Sequence, residues 1–234
     1  MIPRANITAW RAAAPWPDNM QVEQDLALSR ALITMFHRPE VAEQAVFRGG
    51  TALHKLFFGQ PGRYSEDIDL VQREAGPIGG LIDAIRRALD PWLGKPKWKQ
   101  GQGRFTLYYR FDTTFTPVVS MRLKVEINTR EHFSVLARQR LRYRIDNPWF
   151  AGGAELVTYG LAELLGTKMR ALYQRKKGRD LFDLWFALTE ADVDADQVVQ
   201  CFSDYMKFGE TTTSRAQFEE NMERKMEDAL FLGD

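Results

Sequence analysis

The sequence predicts an α+β protein: a mixed sheet lobe flanked by helices, covering residues 1–152, and a C-terminal helical bundle over residues 153–234. Three observations lead there. Residues 104–112 and 118–128 alternate apolar and polar positions, the period of half-buried strands. A short apolar run, Ala45-Val46-Phe47, ends at Gly49-Gly50 and leads into a helical pattern, so strand and helix adjoin. Beyond the break at Asn147-Pro148 and Ala151-Gly152-Gly153 the chain reads helical to its end.

Each element follows from local chemistry. Asp18-Asn19-Met20-Gln21 has the form of a capping box, with Asp18 as N-cap and Gln21 reaching back. Val22, Leu26, Ile33 and Phe36 continue the stripe until Pro39 forces a stop. Thr51 to Phe58 reads as a helix, and Gly59-Gln60-Pro61-Gly62 as a turn. Asp67-Ile68-Asp69-Leu70-Val71 emerges from that turn as a strand, with Asp67 and Asp69 on one face and Ile68 and Leu70 on the other. Ile78 to Leu93 is an amphipathic helix. Thr113 to Pro117 joins the two alternating segments as a hairpin turn. Arg138, Arg140, Arg142 and Arg144 form a basic stripe if their segment is extended, a solvated face or a contact for RNA phosphates. Helices are then expected over Thr158–Lys177, from Asp180 onward with Asp180 as its cap, over Asp196–Lys207 and over Ser214–Leu230, the last with Ser214 and Gln217 as a second capping box.

Bulk properties narrow the function. Of 234 residues, 44% are hydrophobic and 27% charged, enough to bury a sizeable core. A net charge of +1 argues against a molecule that binds polyanions over its whole surface, while leaving room for local basic patches. The single cysteine, Cys201, lies in an apolar pattern and reads as a buried core thiol; no intramolecular disulfide is available to it. No membrane span is expected, and Met1-Ile2-Pro3-Arg4 is not followed by the apolar region of a signal peptide, so the expected location is cytoplasmic.

The chemistry concentrates in carboxylates. Transfer of a phosphoryl or nucleotidyl group needs a divalent cation at the reacting phosphate, and magnesium takes oxygen ligands from a few carboxylates. Asp67 and Asp69, side by side on a strand, offer two; Glu126, on a strand whose other face is apolar, is the natural third. Gly49-Gly50-Thr51, between strand and helix, supplies backbone N–H groups for a phosphate. Either motif alone is unspecific. The order strand, Gly-Gly-Thr, helix, turn, Asp-Ile-Asp is far more so.

That order resembles the signature of the DNA polymerase β-type nucleotidyltransferase superfamily. Phe47 to Lys55, followed by Arg63 to Leu70, is similar to the AbiEii/AbiGii toxin family, which includes the MenT toxins. Lys168 to Arg175 and Gly178 to Trp185 resemble the family's C-terminal motif, so the likeness spans about Val22 to Leu188. The resemblance implies a nucleotidyltransferase-type sheet lobe and the toxin half of a toxin–antitoxin pair. It also implies Mg²⁺-dependent (or Mn²⁺-dependent) transfer of NMP from an NTP to an RNA acceptor, the tRNA 3′ end in the MenT branch, and a cognate antitoxin encoded nearby. Carried over, Asp67 and Asp69 hold metal, Lys168 contacts the triphosphate, Asp183 is a second essential acid in the same pocket, and Ser65 lies near the nucleotide. The residues agree: Lys168 and Arg175 lie close to one helix face, two cations suited to a triphosphate.

Two further readings stay open. One is a nucleotide-binding toxin without turnover that sequesters a partner. The other is NMP transfer to a protein or small-molecule acceptor. His37, His54 and His132 lack metal-ligand spacing and read as structural.

Overall fold

A computed structural model describes residues 2–59 and 62–234. Met1 and, in the expected Gly59–Gly62 turn, Gln60 and Pro61 lie outside the described residues. The chain divides into two compact units, Met1–Phe133 with Gln139–Thr158, and Ser134–Arg138 with Tyr159–Asp234.

The first unit is built on a sheet. Its described residues form β1 (Ala45–Arg48), β2 (Asp67–Gln72), β3 (Lys97–Gly101), β4 (Arg104–Asp112), β5 (Ser120–Asn128), β6 (Gln139–Ile145) and β7 (Gly152–Thr158), in the spatial order β3-β4-β5-β2-β1-β7-β6. The β2–β5 and β1–β7 pairs are parallel and the others antiparallel. The expected alternation holds: Ile68, Leu70, Leu123, Val125 and Ile127 are buried on one side. Helices α1 (Arg4–Trp10), α2 (Asn19–Phe36), α3 (Pro39–Gln44), α4 (Gly49–Leu56) and α5 (Gly79–Leu93) complete the unit.

Helix α2 is more central than its apolar stripe suggests. Nearly every residue from Val22 to Phe36 is buried, including Glu23, Gln24, Asp25 and Ser29. Such polar groups survive burial only when hydrogen-bonded. Glu23 accepts from the Thr114 amide, and Asp25 accepts from the Trp10 and Trp16 indoles and from Lys55. The cap is half of what the sequence implies. Asp18 accepts from the Met20 amide, but Gln21 Oε1 makes no hydrogen bond.

Two strands escape the sequence pattern. β3 reads Lys-Trp-Lys-Gln-Gly, an exposed edge strand with no buried face to impose alternation. β7 contradicts the expectation that everything after Gly152 is helical. It pairs with β6 and, through Phe47 and Thr158, with β1, so the first unit runs to Thr158 rather than ending at 152. The glycines that look like a domain break are the first residues of a strand.

The second unit is helical: α6 (Leu161–Gln174), α7 (Gly178–Glu190), α8 (Ala195–Phe208), α9 (Arg215–Met226) and α10 (Ala229–Leu232). The capping box of Ser214 and Gln217 forms in full. Gly166 brings α6 against α8, since a Cβ there would collide with Cys201 and the Phe202 amide. Cys201 is buried, and burial raises its thiol to about 11. Buried Glu163 accepts from the Val135 and Leu136 amides and the Tyr205 hydroxyl, tying residues 134–138 to this unit. Among the described residues no helix is long and apolar enough to cross a membrane.

Candidate active site

The sheet places the carboxylates. β2 lies between β1 and β5, with Arg48 opposite Asp69, Glu126 beside Asp69, and Lys124 beside Asp67. Neighbouring strands are about 4.8 Å apart, and side chains at paired positions share a face. Asp67, Asp69 and Glu126 therefore emerge from one face of two adjacent strands while Ile68 and Leu70 anchor β2 in the core.

One cation sits among them. Lys124 Nζ lies 3.1 Å from Asp67 Oδ2 and 3.3 Å from Glu126 Oε2. Burial raises the Asp69 carboxyl above the usual carboxylate range; Lys124 and Arg48 pull it down, while Asp67 and Glu126 push it up. Burial alone would lower the Lys124 ammonium, but the three carboxylates raise it. Among the described residues, no group of three or more His, Cys, Asp or Glu side chains is placed to hold a metal ion. The set is nevertheless all oxygen and strongly negative, the donor chemistry that magnesium takes, and Lys124 is the cation its carboxylates already hold.

The glycine motif opens α4 instead of forming a separate turn before it. Gly49 has φ +84°, a region that favours glycine, and the Asp69 carboxylate fills the space where a Cβ would stand. Gly50 and Thr51 follow in the first turn, both buried. Thr51 Oγ1 donates to the Asp67 carbonyl at 2.6 Å and lies 2.7 Å from Ser65 Oγ. These contacts give Thr51 and Ser65 a positioning role toward β2. His54 Nδ1 accepts from the Gly62 amide at 3.3 Å.

The remaining expected site residues form a separate cluster in the helical unit. Lys168 Nζ lies 3.0 Å from Asp180 Oδ1 and 3.0 Å from Asp183 Oδ2, with both acids fully buried. Arg175 grips Asp180 with two bonds, Nε at 2.6 Å and Nη2 at 2.8 Å. Burial alone would raise the Asp180 carboxyl, but the Arg175 hydrogen bond and the Lys168 charge outweigh it and hold the group below its ordinary value. Asp180 is not the cap of α7. The helix begins at Gly178, and Asp180 turns inward from its first turn to two cations.

Two residues go beyond the sequence reading. Lys124, which the sequence does not single out, joins Glu126 to Asp67. Asp180 is the centre of the helical cluster, and no spacing rule separates such an acid from a cap.

Comparisons with known proteins place the chain in a family and a fold. The family model described as nucleotidyl transferase AbiEii toxin, type IV toxin–antitoxin system, matches residues 30–232. Among solved structures, MenT4, a nucleotidyltransferase toxin from Mycobacterium tuberculosis, superposes with a TM-score of 0.64 at 21% identity, covering 92% of this chain and 75% of its own. JHP933 from Helicobacter pylori gives 0.56 at 21% identity, covering 81% and 75%. A putative nucleotidyltransferase from H. pylori gives 0.55 at 18% identity, covering 92% and 87%. These likenesses show a common fold. No curated protein matches the chain.

Proposed function

The chain belongs to the AbiEii family of nucleotidyltransferase toxins of type IV toxin–antitoxin systems, and from that premise we propose that it moves NMP from an NTP onto the 3′ end of an RNA, a tRNA, with magnesium held by Asp67, Asp69 and Glu126. Family membership implies a nucleotide substrate and a cognate antitoxin. The observation that carries the finer reading is the convergence of Asp67 and Glu126 on the Lys124 ammonium, with Asp69 on the same face of β2 beside a glycine whose missing side chain makes room for it.

In this reading Asp67, Asp69 and Glu126 are the metal ligands, and the cation would neutralise charge on the reacting phosphate. Manganese, with similar oxygen preference, would substitute. Gly49, Gly50 and Thr51 bring the start of α4 to the nucleotide, with its N–H groups and positive dipole end available to an anion. Thr51, through the Asp67 carbonyl and Ser65, fixes the strand that carries the ligands. The family resemblance assigns Lys168 to the triphosphate, and we assign Arg175 with it; within the helical unit Asp180 and Asp183 both hold the Lys168 ammonium. The acceptor hydroxyl attacks the α-phosphate in line, and pyrophosphate leaves. Positioning and charge neutralisation supply most of the rate.

The test is transfer of label. Purified protein is incubated with an RNA pool, each α-radiolabelled NTP in turn, and Mg²⁺. Label in tRNA supports the proposal. Label in protein or small molecules reassigns the acceptor, and nucleotide binding with no transfer to anything removes the catalytic reading.

A further inference from the structure

The polar face of the sheet does not end at the carboxylates. From Asp67 and Glu126 an open groove of about 310 Å³ runs across β5, β4 and β3, lined by Lys99, Arg104, Arg122 and Lys124 together with Thr106 and Tyr108. The register explains the lining. Lys99 pairs with Thr106, Thr106 with Glu126, and Glu126 with Asp69, one row across four strands. Lys97, Tyr108, Lys124 and Asp67 form the next row. Paired residues share a face, so the basic side chains and the carboxylates lie on the same surface.

Lys97, Lys99, Arg104 and Arg122 are exposed, and the Arg122 guanidinium lies 5.2 Å from the Tyr108 ring centre. The acids of the groove, Glu66, Asp67 and Glu126, are gathered at its β2 end, two of them on Lys124. The charged residues toward the opposite end, Lys99 and Arg104, are both basic. No packing need accounts for this pattern: the other face of the same strands supplies the core through Phe105, Leu107, Leu123 and Val125.

From these observations we infer that the β3–β4–β5 face is the track for the acceptor strand, holding RNA backbone phosphates on Lys99, Arg104 and Arg122 so that the 3′-hydroxyl reaches the carboxylates. This rests on the transferase reading above and names where its acceptor lies. The phosphates would be held by charge and by side-chain N–H donors, with Tyr108 available to a base or ribose. The competing surface is the arginine stripe of β6, where Arg140, Arg142 and Arg144 are exposed. Register puts that stripe on the same face as Asp69, but β1 and β7 intervene, and Val46 and Val157 are buried there. The β3–β5 groove is open all the way to Asp67.

The experiment measures binding of a short fluorescent single-stranded RNA with a free 3′-hydroxyl, without NTP, across a salt series. Two triple variants are compared with the wild type: Lys99→Gln/Arg104→Gln/Arg122→Gln and Arg140→Gln/Arg142→Gln/Arg144→Gln. The first is expected to raise Kd at least tenfold and to flatten the slope of log K against log salt by about 2, three contacts at roughly 0.7 each. Its KM for RNA should rise while KM for NTP stays within about twofold. The inference is overturned by unchanged affinity and slope, by loss confined to the β6 variant, by a wild type that binds no RNA, or by a KM that rises for NTP instead. Matching thermal transitions exclude misfolding, and Lys99→Gln alone, on an exposed edge strand, repeats the test with the least disturbance. Binding without NTP decides the groove even if label transfer fails, so the two readings fail separately.

Discussion

The Asp69 carboxylate lies against the backbone of Gly49, in the space a β-carbon would need, and Gly49 holds φ +84° to allow it. Gly49→Ala therefore meets two obstacles, a backbone region costing an L residue about 1–2 kcal/mol and a collision with the carboxylate itself. It is expected to lower the thermal transition and to reduce label transfer by about 100-fold or more, because a carboxylate moved by an ångström loses its geometry. Wild-type activity in this variant would mean that the contact has no bearing on the site.

Lys55 and Asp25 form a buried pair at 2.9 Å, with side chains 12% and 5% exposed. Burial alone would lower the Lys55 ammonium, but Asp25 and Tyr143 hold it above its ordinary value. Lys55→Met leaves Asp25 with only the two indole donors, and breaking such a pair costs about 3–5 kcal/mol. Urea unfolding should show that loss in the midpoint; a change below about 1 kcal/mol would class the pair with surface ion pairs.

Asp180 gives a pH dependence with a definite sign. Its carboxyl is held below the ordinary value in the folded chain, so the unfolded chain binds the proton more tightly. The stability it contributes is complete above about pH 4 and drains away as pH falls through the lower folded value. Asp180→Asn should therefore be less stable than wild type at neutral pH, and the gap in Tm should narrow as the solution is acidified below about pH 4. A gap that does not change with pH would mean that the Lys168–Asp180–Arg175 contacts contribute no charge-dependent stability.

Much of this was legible in the sequence, for physical reasons that differ by element. β2, β4 and β5 have one buried face, so burial writes a two-residue period into their sequences, and Asp67, Asp69 and Glu126 stand out as polar residues in phase with it. The caps at Asp18 and Ser214 are local and need no tertiary information. β3 is an exposed edge with no period to read, and β7 opens on Gly152-Gly153, which reads as a break until pairing with β6 makes it a strand. Lys124, Asp25 and Asp180 have partners remote in sequence or on another element, and a charged residue gives no sign from sequence of whether its partner is water or a buried carboxylate. The groove beyond the carboxylates depends on β3 and stayed hidden with it.

Chelation and metal replacement bear on the cation. Stripping divalent ions with EDTA should abolish label transfer, and adding back Mg²⁺ or Mn²⁺ should restore it, whereas the fold should persist because its core is independent of the ion. A thermal transition raised by Mg²⁺ in the wild type and unmoved in Glu126→Gln would assign Glu126 to that cation. An equal rise in both would remove Glu126 from the ligand set.

The most direct measurement is label transfer by Asp69→Asn beside the wild type, with near-ultraviolet circular dichroism of both. Wild type should transfer label to RNA only with a divalent cation; Asp69→Asn should fall by about 1,000-fold, the upper range for a lost electrostatic contact at a transition state, with its spectrum unchanged. Undiminished transfer by a folded Asp69→Asn would contradict the assignment of the carboxylates as the catalytic centre.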